Sequence, residues 1–304
     1  MSGAAAARLG LGTVQFGLAY GITNSDGRIS DSEAAAILAR CAEAGIDLLD
    51  TANLYGESES AIGRAAPSDA AFRIVTKTPK AAGARSADEA VAALQSAFAE
   101  SLEKLRQPRV DALLLHDPAD LLGPMGPALW SAMEALKRDG LVRAIGVSIY
   151  EGAEIDAALA AFPIDIVQLP WNPLDQRLER GGQLAALANA GVEVHARSLF
   201  LQGLLLQDAA NISARFGPLR DAIAALHADF REVGLSPLEG ILAHAFARPK
   251  ISRFVVGVTS AAELDAILLA GEKAAGVKAP LNPSTSSGAL DARYLNPARW
   301  SELG

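Results

Sequence analysis

The segment "DTANLYGESE", residues 50 to 59, follows the apolar run "AGIDLLD", which ends on Asp50. A carboxylate thus closes a hydrophobic run, and a phenol, Tyr55, comes five positions later. Two further apolar runs end on ionisable residues: "FRIVTK" on Lys77 and "VDALLLH" on His116. A lysine at the end of an apolar run is partly desolvated and needs a partner, which Asp50 can supply. Tyrosine titrates near pH ~10 when unperturbed. A neighbouring ammonium favours the phenolate, so Lys77 is expected to lower the Tyr55 pKa and make it a usable acid. Tyr55 can then protonate a carbonyl oxygen while His116 gives the same oxygen a hydrogen bond. No side chain supplies the hydride such a reduction needs, which implies a nicotinamide cofactor.

These residues act together only if the elements carrying them converge. β-like runs fall at 8–14, 46–50, 72–77, 110–116, 141–148, 165–170, 192–198 and 253–258. Helical patterns lie between them, at 31–44, 57–65, 87–106, 126–139, 151–161, 181–190, 217–233, 237–247 and 260–271. Ser30 with Glu33, Ser86 with Glu89 and Ser260 with Glu263 have capping-box spacing, and Ser236 precedes Pro237 and Glu239. Gly45, Gly140 and Gly191 stand where a left-handed residue closes a helix.

About eight strand–helix units in about 275 residues is the arithmetic of an α/β protein of the (β/α)8 TIM-barrel class. A doubly wound sheet would carry a G-x-G-x-x-G turn after its first strand, and "GLGTVQFG" lacks that spacing. The expectation is one barrel domain over residues 1–275 and a C-terminal tail over 276–304, either covering the site or packed on the barrel. A barrel gathers its active site at the C-terminal ends of its strands. Those ends read Gly12-Thr13, Asp50, Lys77, His116, Ser148, Gln168, Arg197-Ser198 and Gly257.

The 304 residues are 50% hydrophobic, ample for a large core, and the net charge of −8 argues against a nucleic-acid or anionic-membrane partner. One cysteine excludes an intrachain disulfide, and no histidine pair has metal-ligand spacing. The N-terminal "MSGAAAARLG" lacks the apolar stretch of a signal peptide, so a cytoplasmic protein is expected.

"DTANLYGESESAIG" resembles the D-T-A-x-x-Y-G-x-x-E-x-x-[LI]-G signature of the aldo-keto reductase superfamily. "VTK" and "LLLHDP" resemble its lysine and histidine strand ends, in the same order. The likeness covers roughly residues 8–270. It implies the same barrel, NAD(P)(H)-dependent oxidoreduction of an aldehyde, ketone or sugar carbonyl (or of the alcohol), and Asp50, Tyr55, Lys77 and His116 as the catalytic set. By the same resemblance Ser148 and Gln168 hold the nicotinamide carboxamide and Trp171 stacks on its ring. "RSLFLQGLLL" resembles a cofactor-binding segment, giving Ser198, Leu199 and Gly203, the last allowing close approach to the pyrophosphate. Gly12, Thr13 and Gly257 line the same rim.

Two segments depart from the family pattern. Ile149 follows Ser148 where an asparagine is common. "VVGVTSAAELDAI" resembles the adenosine-phosphate segment, yet Glu263, Ala266 and Ile267 stand where phosphate- and adenine-binding residues are usual. Backbone groups at Thr259 and Ser260 can still bind a phosphate at a helix start. The resemblance favours NADP(H); Glu263 favours NAD(H) by repelling a 2′-phosphate. The partner is a small carbonyl or alcohol; the sequence leaves the oligomeric state open, and a monomer fits the family.

Other expectations complete the reading. His195 belongs to a buried polar network inside the barrel with Glu193 and Arg197, while His227 and His244 are surface or core filler. Asp117 and Arg197 near a short loop after His116 favour a polar, sugar-like ligand. Ser284–Gly288 is mobile, and Tyr294, Leu295 and Trp300 dock back, with Trp300 outside the substrate site. The rival functions are a cofactor-binding regulatory protein with little turnover and a barrel aldolase or isomerase using Lys77 as a Schiff-base amine.

Overall fold

Period-two alternation within short buried runs decides where the polar strand ends point. The computed structural model describes residues 3–277 and 290–303. Its strands are β1 (Leu9–Gly12), β2 (Leu48–Asp50), β3 (Arg73–Lys77), β4 (Val110–Leu115), β5 (Val142–Ser148), β6 (Ile166–Pro170), β7 (Glu193–Arg197) and β8 (Arg253–Gly257). They pair in parallel in chain order, and β8 returns to β1 through Leu9↔Phe254 to Gly12↔Gly257, closing the expected (β/α)8 barrel. Each β-like run read from the sequence contains one of these strands.

Helices cover the outside: α1 (Asp31–Ala44), α2 (Ser58–Ala65), α3 (Ala87–Leu105), α4 (Gly126–Arg138), α5 (Gly152–Ala161), α6 (Gln183–Asn189), α7 (Gly217–Glu232), α8 (Pro237–Phe246) and α9 (Ala261–Ala275). Ser30, Ser86, Ser236 and Ser260 each accept the backbone N–H three residues on, as their spacing predicts. The reciprocal bond forms only at Ser236, whose N–H reaches Glu239 at 2.9 Å. Elsewhere the glutamate is diverted: Glu89 accepts from Arg85 N and Glu263 from Thr259 N, one residue before the cap, while Glu33 reaches Ala261 N. Gly45, Gly140 and Gly191 all have positive φ, as helix closure there requires.

Two cores result. The larger lies between barrel and helices, with Ile37, Leu38, Val167 and Leu264 among its fully buried members. The smaller fills the barrel: Leu48, Val75, Ala112, Leu114, Ala144 and Ile166. Strand side chains alternate, so residues two or four beyond these face the same interior at the barrel mouth. Those residues are Asp50, Lys77, His116, Ser148 and Gln168.

The opposite mouth is closed by ion pairs. Arg73 and Arg143 both bridge Asp111 and Glu193, at 2.8–3.3 Å. His195 is fully buried and bonds Glu193 at 3.0 Å, which is the interior network expected, without Arg197. His227 and His244 are both buried core residues. No helix among the described residues is long and apolar enough to cross a membrane.

Candidate active site

Asp50 closes β2 and pairs in register with Gly12 on one side and Val75 on the other. Lys77, two residues beyond Val75, donates to both Asp50 oxygens at 2.9 Å and to Thr51 O at 2.8 Å. Gln168 Nε2 reaches Asp50 Oδ1 at 2.6 Å from across the barrel. Thr13 and Ser58 brace the same floor: Thr13 Oγ1 donates to Asp50 O, and Ser58 Oγ lies 2.8 Å from Thr13 Oγ1.

Tyr55 is carried by a tight turn, with its N–H bonded to Ala52 O and its carbonyl accepting from Ser58 N. Gly17 packs so closely there that an added Cβ would collide with the Tyr55 carbonyl oxygen. The Lys77 ammonium lies 5.1 Å from the Tyr55 ring centroid. His116 meets the same ring edge-on, with centroids 5.8 Å apart.

Burial pushes the Tyr55 phenol above its ordinary value, outweighing the downward pull of Lys77. This corrects the expectation of a lowered pKa: the barrel mouth removes more water from the phenolate than one ammonium replaces. Tyr55 is therefore held protonated. Burial alone would lower the Lys77 ammonium, but Asp50 and the Tyr55 oxygen more than offset it and hold the lysine charged. Burial and then the charge of Lys77 push His116 down to about 4, so its imidazole is neutral at pH 7. Its Nδ1 is buried without a partner among the described residues.

Above this floor lies a cavity of about 850 Å3, a size suited to a cofactor and substrate. It reaches from Tyr55 and His116 past Gly12, Thr13 and Gly257 to Thr259 and Glu263 at the start of α9. Ser148 and Gln168, register partners on β5 and β6, open into it. The Ser148 hydroxyl has no partner among the described residues, whereas the Gln168 amide nitrogen is committed to Asp50, leaving its carbonyl oxygen for a ligand. Asp50 lines the cavity and Lys77 lies beneath it.

The loop after β7 forms a second wall, which includes Ser198, Leu199 and Gly203 as expected. Ser198, Leu201 and Gln202 have φ of 63°, 48° and 53°, a cluster of left-handed non-glycine residues. Such backbone persists only where surroundings impose it. Here Asn172 Nδ2 holds Ser198 O at 3.2 Å, and Gln202 is bound to the loop after β1. Gln202 donates to the Tyr20 hydroxyl and accepts from Ile22 N, both at 3.0 Å, and Thr23 Oγ1 donates to Gln202 O at 2.9 Å. The two loops thus form a strap along the cavity, with Gly203 directly against Thr23.

Three sequence-based placements need correction. Trp171 does not line the cavity: it is fully buried, stacked on His244 at 5.4 Å, and donates its indole N–H to Glu179. The reason is parity, since Ile166 and Gln168 face the interior and position 171 therefore faces the helices. Ser260 also lies off the cavity, its hydroxyl spent as the α9 cap. Asp117 caps a short helix (Pro118–Leu122) and pairs with Lys80 at 3.0 Å, so it does not act with Arg197.

The sequence reading missed two lining residues, Gln15 and Gln202; Tyr20 and Tyr150, which follow strand ends, and residues 296–298 of the tail line the cavity as well. Gln15 Oε1 is buried there without a partner among the described residues. Trp300 packs edge-on against Phe216 and stays off the cavity, while its neighbours Asn296 to Ala298 reach it. Ser284–Gly288 lies outside the described residues.

A closed parallel barrel with an acid, a lysine, a tyrosine and a histidine at its C-terminal mouth defines the class of protein. The aldo/keto reductase family model matches residues 8–275, and the chain belongs to that family. It is similar to an aldo-keto reductase of Mycolicibacterium vanbaalenii, 34% identical over 60% of this chain and 64% of that one. It spans about half the length of two further mycobacterial relatives of that name (53% and 52%). A Pseudomonas D-threo-aldose 1-dehydrogenase is 28% identical over 72% of this chain and 76% of its own. In fold, the chain matches an aldo-keto reductase from Bacillus halodurans in its holo form, with TM-score 0.69, 21% identity and coverage of 98% and 92%.

Proposed function

We propose that the protein is an NAD(P)(H)-dependent oxidoreductase that reduces an aldehyde, ketone or sugar carbonyl, or oxidises the matching alcohol. The observation that carries this reading is the buried Lys77–Asp50 pair under Tyr55, opposite a neutral His116, at the floor of the cavity. The name of the Pseudomonas relative is in keeping with a sugar substrate.

The residues fit a nicotinamide dinucleotide. The free Ser148 hydroxyl and the Gln168 carbonyl oxygen would hold its carboxamide, and the β7 loop would follow its pyrophosphate. When bound, the cofactor supplies or accepts the hydride. Tyr55 gives its hydroxyl proton to the substrate oxygen, and the Lys77 ammonium stabilises the phenolate left behind. Asp50 keeps Lys77 charged in a site that would otherwise favour the neutral amine. His116, neutral, donates a hydrogen bond to the same oxygen as charge builds there. In the oxidation direction Tyr55 takes the proton back.

NAD(H) fits better than the NADP(H) favoured by family resemblance. At the start of α9, Glu263 accepts from Thr259 N and Glu33 accepts from Ala261 N, both at 2.7 Å. A 2′-phosphate there would meet the Glu263 carboxylate at the cavity wall, with Thr259 N already taken by it.

Fluorescence titration with NADH and with NADPH tests this. Saturable binding of NADH, tighter than NADPH, is expected. Tyr55→Phe should keep that binding and lose carbonyl reduction by about 10²–10⁴-fold. If neither nucleotide binds, the reading is wrong.

A further inference from the structure

Arg197 closes β7 and shares its inner face with Glu193 and His195, which satisfy each other at the far end of the strand. Its own surroundings differ. The guanidinium carbon lies 4.0 Å from the Tyr150 ring centroid, and Nη2 donates one bond, to Ile149 O at 3.3 Å. Among the described residues no carboxylate comes within ion-pair distance of it, whereas Arg73, Arg143 and Arg253 on other strands of the barrel each have an acid partner.

Arg197 is also the only lysine or arginine lining the cavity among the described residues. The cavity's acids are engaged elsewhere. Asp50 serves Lys77, Glu263 serves Thr259 N, and Asp26 sits in an exposed turn bonded by Ser25. The half-buried guanidinium therefore brings an uncompensated positive charge to the wall beside the reacting groups. Its field reaches both Tyr55 and His116, a minor downward pull on each that burial outweighs at Tyr55.

A guanidinium withdrawn from water is costly without an anion, and the Tyr150 face offsets only part of that cost. Stacking on the ring also fixes the plane of the fork, leaving its remaining N–H donors in a geometry that suits a carboxylate in two-point contact. We infer that Arg197 is a specificity-determining anchor for the substrate, and that the substrates are small carbonyl compounds carrying a carboxylate a few atoms from the carbonyl. A neutral sugar would leave the fork unpaired. The inference rests on the carbonyl-reduction reading and narrows it.

The test compares 4-oxobutanoate with its neutral methyl ester as substrates for the wild type, Arg197→Met and Arg197→Lys. The wild type should prefer the carboxylate by at least tenfold in kcat/KM. That preference should fall to about unity in Arg197→Met, mainly through KM, and recover in part in Arg197→Lys. Calorimetric titration of the wild type with butanoate and with butanamide, with and without NADH, needs neither turnover nor a folded variant; only butanoate should bind. Turnover without carboxylate preference, or binding of both compounds alike, removes the anchor and leaves the reductase standing. Loss of nicotinamide binding in Arg197→Met with an unchanged preference ratio also overturns it, by giving the guanidinium to the cofactor. Butanoate binding without turnover of any aldehyde keeps the anchor and removes the reductase.

Discussion

Lys77 Nζ lies 2.9 Å from both carboxylate oxygens of Asp50, and the two side chains are only 1% and 6% exposed. A pair this deep is stable only while both members are present. Each compensates the desolvation of the other, and Thr51 O and Gln168 satisfy the remaining hydrogen-bonding capacity.

Breaking the pair should therefore harm stability as well as catalysis. Lys77→Met leaves Asp50 buried without its cation, and a loss of about 3–5 kcal/mol in chemical denaturation is expected. Asp50→Asn keeps the shape and should cost less stability, yet still reduce turnover because the lysine loses its counter-charge. A Lys77→Met protein as stable as the wild type would mean that the pair is not buried as described.

His116 makes a prediction in pH. Its folded pKa of about 4 lies below the ordinary value of 6.5, so the unfolded chain binds the proton more tightly. The unfolded state then holds more protons between these values, and stability rises with pH across that window. His116 contributes fully above 6.5, and the contribution is lost as pH falls towards 4. His116→Leu should remove that part of the slope, on the order of 2 kcal/mol after allowing for solvent screening. The measurement is the difference between wild-type and variant denaturation curves across the window.

The acids at the start of α9 give a cofactor prediction. Glu33→Gln with Glu263→Gln should tighten NADPH binding by roughly tenfold, with little effect on NADH, because the Glu263 charge at the cavity wall and the Glu33 charge at the same helix start disappear. Nucleotide titration by fluorescence reads the ratio directly. An unchanged ratio would place the 2′-position elsewhere.

Gly203 has φ of +87°, and an added Cβ would collide with Thr23 in the strap. Gly203→Ala should lose about 1–2 kcal/mol from the left-handed backbone alone, with the collision adding to it. A Tm lower by roughly 5 °C is expected, together with weaker nucleotide binding. Thr23→Ser in the same background should restore little, since the hydroxyl oxygen is the atom struck first.

Much of this protein was legible in its sequence because the signals are local. Buried runs of a few residues, capping serines such as Ser86 and closing glycines such as Gly45 are set by neighbours along the chain, and they recur often enough to imply eight units and a barrel. Asp50, Lys77, His116, Ser148 and Gln168 could be read as strand ends for the same reason. Even the place of Trp171 was recoverable, since counting by twos from Gln168 turns it away from the cavity.

The tertiary structure decided what depends on elements distant in sequence. That burial outweighs Lys77 at Tyr55 follows from how much water the assembled mouth excludes, which no spacing encodes. The meeting of Glu33 with Ala261, 228 residues apart, and of Gln202 with Tyr20, 182 apart, depends on barrel closure bringing β8 and the β7 loop beside the β1 side of the sheet. The isolation of Arg197 from any acid among the described residues is of the same kind. The sequence determined which side chains stand at the rim; only closure of the barrel determined which of them found partners within the protein.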